Sequence, residues 1–571
     1  MSVRRPAAAV LLFGLSFGAA GAPALPPAGD LVKTPAEEAG YTRYSQNEDI
    51  ARFLSALDFS STQVVVGAFG KTLAVEDFPT RDIFLAIVNE EGAGSVERLN
   101  RAKPTVLVFA SQHGNEQSGK EAALRLARDL AVGELRPLLK SLNFLIMPQT
   151  NPYGNWFDRR ENEQGLDLNR DHVKLESPEA RAIHRVFRYW MPEVTLDLHE
   201  KGDDYYRVSL GCVSNVNIAA PIQEFERSVI LAEVEESLAR SRVTFHEYLV
   251  TEEMGVNTAA GANLRPEERA GREEMTRHST TDLNDGRNSL GIYETLSFIQ
   301  ECASRHDLAT LEERSGWQYL GARFLCEAVA RRSAEVLALV RSRRSMLLEN
   351  AKAGRGGETV LRMDFVRDEK QPVLTVRRFE RTESPVRGIL KVDKKVGETV
   401  LASDLAPIPA PRDRKVITDV IKNWFPGVAP RLAVPSPRGY LIPAARGDVV
   451  DCLLAHGVEV GLLAGDINLN VETYLALEVT PAEHDYLPPL KIQVEKEARS
   501  RLAKKGDYFV SRWQPAAGLI PCLLEPQSDY GLIRYRSFGL LPEAGNYYAV
   551  SRIVEPAELS VIPYCPWGTA L

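Results

Sequence analysis

Cysteine is scarce in this 571-residue chain. The six residues Cys212, Cys302, Cys326, Cys452, Cys522 and Cys565 are scattered, and no two form a C-x-x-C pair. That spacing excludes a zinc ribbon. An even count permits disulfides in an oxidising compartment, but no pairing can be read from spacing, and buried free thiols are the simpler expectation at this chain length. Past the first residues no apolar run reaches about 18 residues, which excludes a membrane-spanning helix by this criterion. There is no excess of basic charge either: Lys and Arg number 69 against 77 Asp and Glu, for a net charge of −8. An acidic balance argues against a nucleic-acid partner, whose binding face would be basic. Internal repeats and low-complexity blocks are also missing.

What remains is the composition of an ordinary globular protein, 44% hydrophobic and 26% charged, long enough for two or more domains. The amino terminus has the pattern of a secretory signal. Arg4 and Arg5 precede an apolar stretch from Ala7 to Phe17, and Ala20-Gly21-Ala22 is an A-x-A cleavage site. Removal of residues 1–22 leaves the chain two charges more negative. The expectation is an exported protein, periplasmic or secreted, with no stable membrane insertion after cleavage.

Periodicity then places the elements. Tyr41–Leu57 predicts an amphipathic helix, and Gln63–Phe69 and Asp82–Val88 predict paired strands. Thr105–Phe109 is an apolar run expected as a buried strand, followed by a helix from Glu116 to about Leu130. Leu142–Met147 predicts another buried strand, ending in the turn formers Pro148 to Gly154. Ser177-Pro178-Glu179 opens a helix that reaches about Trp190, with Ser as cap and Pro in the first turn. Val194–His199 predicts a strand, as do Tyr205–Cys212 and Thr244–Val250, with a helix over Ile218–Ala239 between the last two. Thr251–Asn288 is a long polar loop with a helical piece, Ser289–Thr295 a return to the sheet, and Leu308–Leu348 a long helix. Strands alternating with helices give an α/β fold, a three-layer α/β/α sandwich. Gly354 to Gly357 marks its end, so residues 40–350 form one unit. Residues 358–571 form a β-rich accessory region of one or two units, with a linker at Ala406–Arg412 and short strands such as Tyr508–Trp513 and Gly531–Phe538.

The chemistry-bearing residues gather at predicted strand ends, where ligands bind in open α/β sheets. His113 and Glu116, three apart on the turn after the first buried strand, can close on one metal ion. His199 ends another strand, and Asp197, two residues earlier, shares its face. Three such ligands with an open fourth position describe a catalytic zinc site. Between them Asp158–Asp171 is a hydrophilic loop containing Arg159, Arg160 and Arg170, suited to gripping a carboxylate with planar guanidinium forks beside the amide of Asn169. Glu294 stands in an otherwise apolar stretch, at what is expected to be a strand's carboxyl end. A buried carboxylate is costly there unless something uses it, as a general base would.

Taken together, His113-Gly114-Asn115-Glu116, Asn151-Pro152-Tyr153-Gly154, Arg160-Glu161-Asn162 before Gly165-Leu166-Asp167-Leu168-Asn169-Arg170, Asp197-Leu198-His199 and Tyr293-Glu294-Thr295 resemble the zinc carboxypeptidase family over about residues 40–350. The resemblance implies a mixed sheet, one zinc ion on His113, Glu116 and His199, and polarisation of the scissile carbonyl by Arg160. It further implies that Asn169 and Arg170 hold the carboxyl-terminal carboxylate of a peptide substrate, with Glu294 as general base and acid. Two features depart from the family pattern. Tyr153 replaces the usual Asp of Asn-Pro-Asp-Gly, and no Tyr lies between Thr251 and Asn288 where many members carry a mobile one; Tyr205, Tyr206 and His278 are the nearest alternatives. The expected activity is release of a carboxyl-terminal residue. The competing expectations are an N-acyl amino acid deacylase with the same site chemistry, and a non-catalytic peptide or cell-wall-fragment binder.

Overall fold

The computed structural model describes residues 32–565 except 77, 203–205, 254–273, 279, 305–307, 356, 380–415 and 483–486. The signal segment 1–22, Tyr205 and the linker at Ala406–Arg412 lie outside the described residues.

Ten strands concern the amino-terminal unit: β1 Val64–Lys71, β2 Asp82–Val88, β3 Thr105–Ala110, β4 Asn143–Met147, β5 Val194–Gly202, β6 Val208–Gly211, β7 Phe245–Glu247, β8 Leu249–Glu253, β9 Glu274–His278 and β10 Leu296–Ser304. Eight form one sheet in the order β1-β2-β4-β3-β5-β10-β6-β7. Its centre, β4-β3-β5-β10, is parallel, whereas β1, β2 and β6 join antiparallel, so the sheet is mixed. Every residue of β3 and β4 is buried. That is why both read as continuous apolar runs rather than alternating ones: layers cover a parallel sheet on both faces.

The main helices are α1 Asn47–Ser60, α2 Ser118–Ala131, α3 Pro178–Trp190, α4 Gly286–Gly291, α5 Leu311–Arg331 and α6 Ser333–Lys352. On one face, α2 packs on β3 and β5 and is covered by α1 and α5; α3 packs on β1 and β3, and α4 on β5 and β10. Ser177 caps α3 as the sequence suggests, its hydroxyl accepting from Ala180 N. The chain leaves β3 toward β4 on one side and returns to β5 on the other. This reversal opens a crevice at the carboxyl ends of β3 and β5, the position where such sheets take ligands.

Four local expectations are corrected. The helix predicted from Tyr41 starts at Asn47, capped by the Gln46–Asp49 pairing. The long helix over Leu308–Leu348 is two, broken at Arg332. Gly531–Phe538 is not a strand but two short 3-10 turns whose Leu532, Ile533 and Phe538 are buried. Most consequential, Ser289–Thr295 does not return to the sheet: Asp285 accepts from Asn288 N and caps α4, and β10 begins only at Leu296. Of the long loop before it, β8 and β9 form an antiparallel pair.

Beyond α6 the chain is β-rich as expected. A seven-stranded sheet contains Ile467–Thr480 paired with Lys491–Ala503, and smaller pairs flank it. This region is fastened to the amino-terminal unit: Trp424–Phe425 pairs with β9, Tyr530 OH lies 3.2 Å from Thr281 Oγ1, Arg534 Nη1 lies 3.2 Å from Asp282 Oδ1, and His456 Nε2 donates to Val173 O. One apolar core runs through both. No disulfide forms; five cysteines are buried free thiols and Cys565 is exposed. Among the described residues no helix is long and apolar enough to cross a membrane.

Candidate metal centre and active site

The turn after β3 is shaped by two close approaches. Ser111 takes a left-handed conformation (φ 61°), re-aiming the chain so that His113 faces the crevice. Gly114 lies against the Asn151–Gly154 turn so closely that a Cβ would fall 2.0 Å from the Gly154 carbonyl carbon. Asn155 Nδ2 and Asn151 Nδ2 clasp the two segments by donating to Gly114 O and Gln112 O. Tyr153 points elsewhere, its ring edge-on to Phe78 and packed on Phe157. Glu116 ends the turn just before α2.

Here His113, Glu116 and His199 come together, each buried, with one ligand-type atom apiece inside 4.8 Å. His113 Nδ1 is 2.8 Å from Glu116 Oε1, His199 Nδ1 is 2.8 Å from Glu116 Oε2, and the two imidazole Nδ1 atoms are 3.0 Å apart. The far nitrogens face carboxylates: His113 Nε2 is 3.0 Å from Asp167 Oδ1, and His199 Nε2 is 2.8 Å from Asp197 Oδ2. Each carboxylate holds the proton on Nε2 and leaves an Nδ1 lone pair turned inward. Two lone pairs and a carboxylate converging in a buried space repel unless a metal cation or a proton sits among them. Burial pushes the Glu116 carboxyl up, yet His113 and His199 hold it well below its ordinary range; burial pushes His199 down, yet Asp197 and Glu116 hold it well above. The donor set fits a tetrahedral zinc ion with one open position.

The other expected residues divide. Arg160 rather than Arg159 reaches the cluster: it donates to Asp167 Oδ2 (Nε, 2.9 Å) and stands 3.7 Å from Glu116, while Arg159 lies over the Phe157 ring. Asn169 and Arg170 form a short 3-10 turn capped by Asp167. Asn169 Nδ2 is 3.3 Å from His199 Nε2, and its Oδ1 accepts from Gly286 N. Glu294 is not with them. It precedes β10, left-handed at φ 56°, at the amino end of the strand, and accepts from Ala219 N. Burial raises its carboxyl to about 7 against the pull of Arg343 and Arg344. At about 3.3 Å per strand residue it is more than roughly 15 Å from the level of His199.

The carboxylate at that level is Glu301. Parallel pairing sets Glu301 opposite His199 on the neighbouring strand, and both are buried. Burial raises its carboxyl, with His199 opposing. Tyr248, between β7 and β8, hydrogen-bonds to Glu301. Of the other ring candidates, Tyr206 stacks on His246 and His278 meets Trp424 edge-on. Glu301, Tyr248 and Asp167 carried no role in the sequence reading. For Glu301 the signal was present, a lone acid alternating with Ile299 in the run Leu296–Cys302, but it competed with the apolar run just upstream.

Residues 69–189 match the zinc carboxypeptidase family, a span holding His113, Glu116, Arg160, Asn169 and Arg170. Carboxypeptidase 2 of Trichophyton rubrum is 24% identical over 477 residues, 81% of this chain and 78% of that one. The 69–189 stretch of the chain is similar to the zinc carboxypeptidase family. The matching segment and the carboxypeptidase relatives support a metallocarboxypeptidase. Carboxypeptidase E of Caenorhabditis elegans is 37% identical over a shorter span, 13% of this chain and 20% of its own. A solved metallo-carboxypeptidase from Burkholderia cenocepacia aligns over 53% of this chain and 71% of its own, with 21% identity and a TM-score of 0.37.

Proposed function

We propose that this carboxypeptidase is an exported, zinc-dependent exopeptidase. It holds one zinc ion on His113, Glu116 and His199 and releases the last residue of peptides bearing a free carboxyl-terminal carboxylate. The observation that carries this reading is the state of Arg170 beside the metal cluster. Among the described residues its guanidinium makes one hydrogen bond, Nη1 to Asn169 O at 2.7 Å, leaving the rest of its fork for a carboxylate. When bound, the zinc supplies Lewis acidity to the scissile carbonyl and lowers the pKa of water beside it.

The chain's own residues do the remainder. Arg170 and Asn169 fix the terminal carboxylate, which sets which peptide bond reaches the cluster. Arg160 donates to the carbonyl oxygen as negative charge develops there. Glu301, in place of Glu294, takes the proton of the attacking water and delivers it to the leaving amine. Asp167 and Asp197 hold the ligand imidazoles in the tautomer the metal needs. Residues 1–22 direct the product to the periplasm or the medium.

A peptide-library digest read by mass spectrometry, run beside N-acyl amino acids and repeated with a chelator, tests the proposal. Loss of single carboxyl-terminal residues, abolished by the chelator, is expected. Turnover of N-acyl amino acids alone overturns it in favour of a deacylase, and zinc uptake without turnover of either would leave a binding protein.

A further inference from the structure

Behind the histidines of the candidate metal centre runs a line of buried polar groups that are not among its three ligand residues. Asp197 receives two hydrogen bonds among the described residues, and both land on Oδ2: one from His199 Nε2 and one from Gln112 Nε2 at 2.6 Å. Its Oδ1 has no partner there. Gln112 Oε1 is 2.7 Å from His172 Nε2, and His172 Nδ1 is 3.0 Å from His184 Nε2. All four side chains are wholly buried.

The polarity of this line follows from its first member. Asp197 as a carboxylate only accepts, so Gln112 must present its NH2 to it and its oxygen to His172. His172 therefore carries its proton on Nε2, its Nδ1 is bare, and His184 must donate from Nε2. His184 Nδ1 is then bare, and it has no partner among the described residues. Burial keeps both rings neutral: His172 is pushed down to about 3, and His184 well below its ordinary value. The backbone makes room for the knot. A Cβ on Gly286 would lie 3.0 Å from Gln112 Nε2, 3.1 Å from Asp197 Oδ2 and 3.3 Å from His172 Cε1.

We propose that Gln112 and His172 are positioning residues for the metal site. His172 anchors Gln112 Oε1, the anchored Gln112 holds the Asp197 carboxylate, and Asp197 fixes the ring and tautomer of His199. Without the His172 N–H, Gln112 Oε1 loses its partner, and the amide that donates to Asp197 is held less firmly. This inference rests on zinc binding at His113, Glu116 and His199.

The test compares the full-length parent with Gln112→Met, His172→Leu and His172→Gln. Zinc retention is measured against a competing chelator, with thermal melts of the metal-stripped forms and kcat and KM of the loaded ones. Gln112→Met and His172→Leu should hold zinc about ten- to a hundredfold more weakly, the range seen when groups supporting metal ligands are removed. Their kcat should fall more than KM rises. His172→Gln, which restores a donor to Gln112, should return to within about threefold of the parent on the same scale. A folded Gln112→Met that keeps parental zinc affinity overturns the role of Gln112, and equal affinity in the His172→Leu and His172→Gln proteins overturns that of His172. If His172→Leu does not fold, Gln112→Met decides. A parent that takes up no zinc overturns the metal-site reading itself, which is a separate outcome.

Discussion

Strand β10 has a glutamate near each end, and the two are alike in most respects. Glu294 and Glu301 are both buried, 6% exposed in each case, and burial raises both carboxyls. Their surroundings differ. Glu294 sits where the sheet's amino edge is stitched by Arg344, which donates to Tyr293 O, Pro192 O and Thr295 Oγ1. Glu301 sits at the carboxyl edge, opposite His199 and in contact with Tyr248. A buried, hard-to-ionise carboxylate is therefore no marker of catalysis by itself; the end of the strand it occupies is what separates a structural acid from a candidate general base.

The comparison can be broken most directly by exchanging each acid for its amide. Glu301→Gln should lower kcat on a confirmed peptide substrate by about 10² to 10⁴, the range for losing a general acid–base group, with zinc content unchanged. Glu294→Gln should keep parental kcat; a loss as large as that of Glu301→Gln would reverse the assignment.

The same pair can be separated by stability. Burial raises the Glu294 carboxyl to about 7 in the folded chain, from an ordinary value of 4.5. A raised folded value means its contribution is fully present below about pH 4.5 and is lost as pH rises through 7, about 3 kcal/mol in all. Denaturant titrations at pH 4 and pH 8 should show the Glu294→Gln protein gaining about that much on the parent. A pH-independent difference would show that Glu294 is not held in a desolvated site.

Smaller effects sharpen the carboxyl-edge side. Arg170→Met should raise KM for peptides by about 10- to 100-fold, as expected for charge-assisted bonds to a carboxylate, while peptides amidated at the carboxyl terminus should be poor substrates for parent and variant alike. An unchanged KM would remove Arg170 from the carboxylate clamp. Tyr248→Phe should cost about tenfold in kcat, the worth of one hydrogen bond to the Glu301 carboxylate, and an unaltered rate would make that contact incidental.

Sequence alone determined the parts whose partners are neighbours along the chain. The buried runs of β3 and β4, the Ser177 cap of α3, and the shared face of Asp197 and His199 were legible, because periodicity and short spacing fix where such residues point; that the two pair came from the fold. His113 and Glu116 belong to this class, three residues apart on one turn. What spacing does not carry is register between distant strands. That Glu301 lies opposite His199 depends on β10 beginning at Leu296, and that in turn on Asp285 capping a short helix where apolar density suggests a strand. The line from Asp197 through Gln112 to His172 and His184 joins three separate stretches of chain, and no local pattern marks it. Only the folded sheet brings those groups within hydrogen-bonding reach, since their contacts follow from strand order and crossover rather than from any residue's neighbours in sequence.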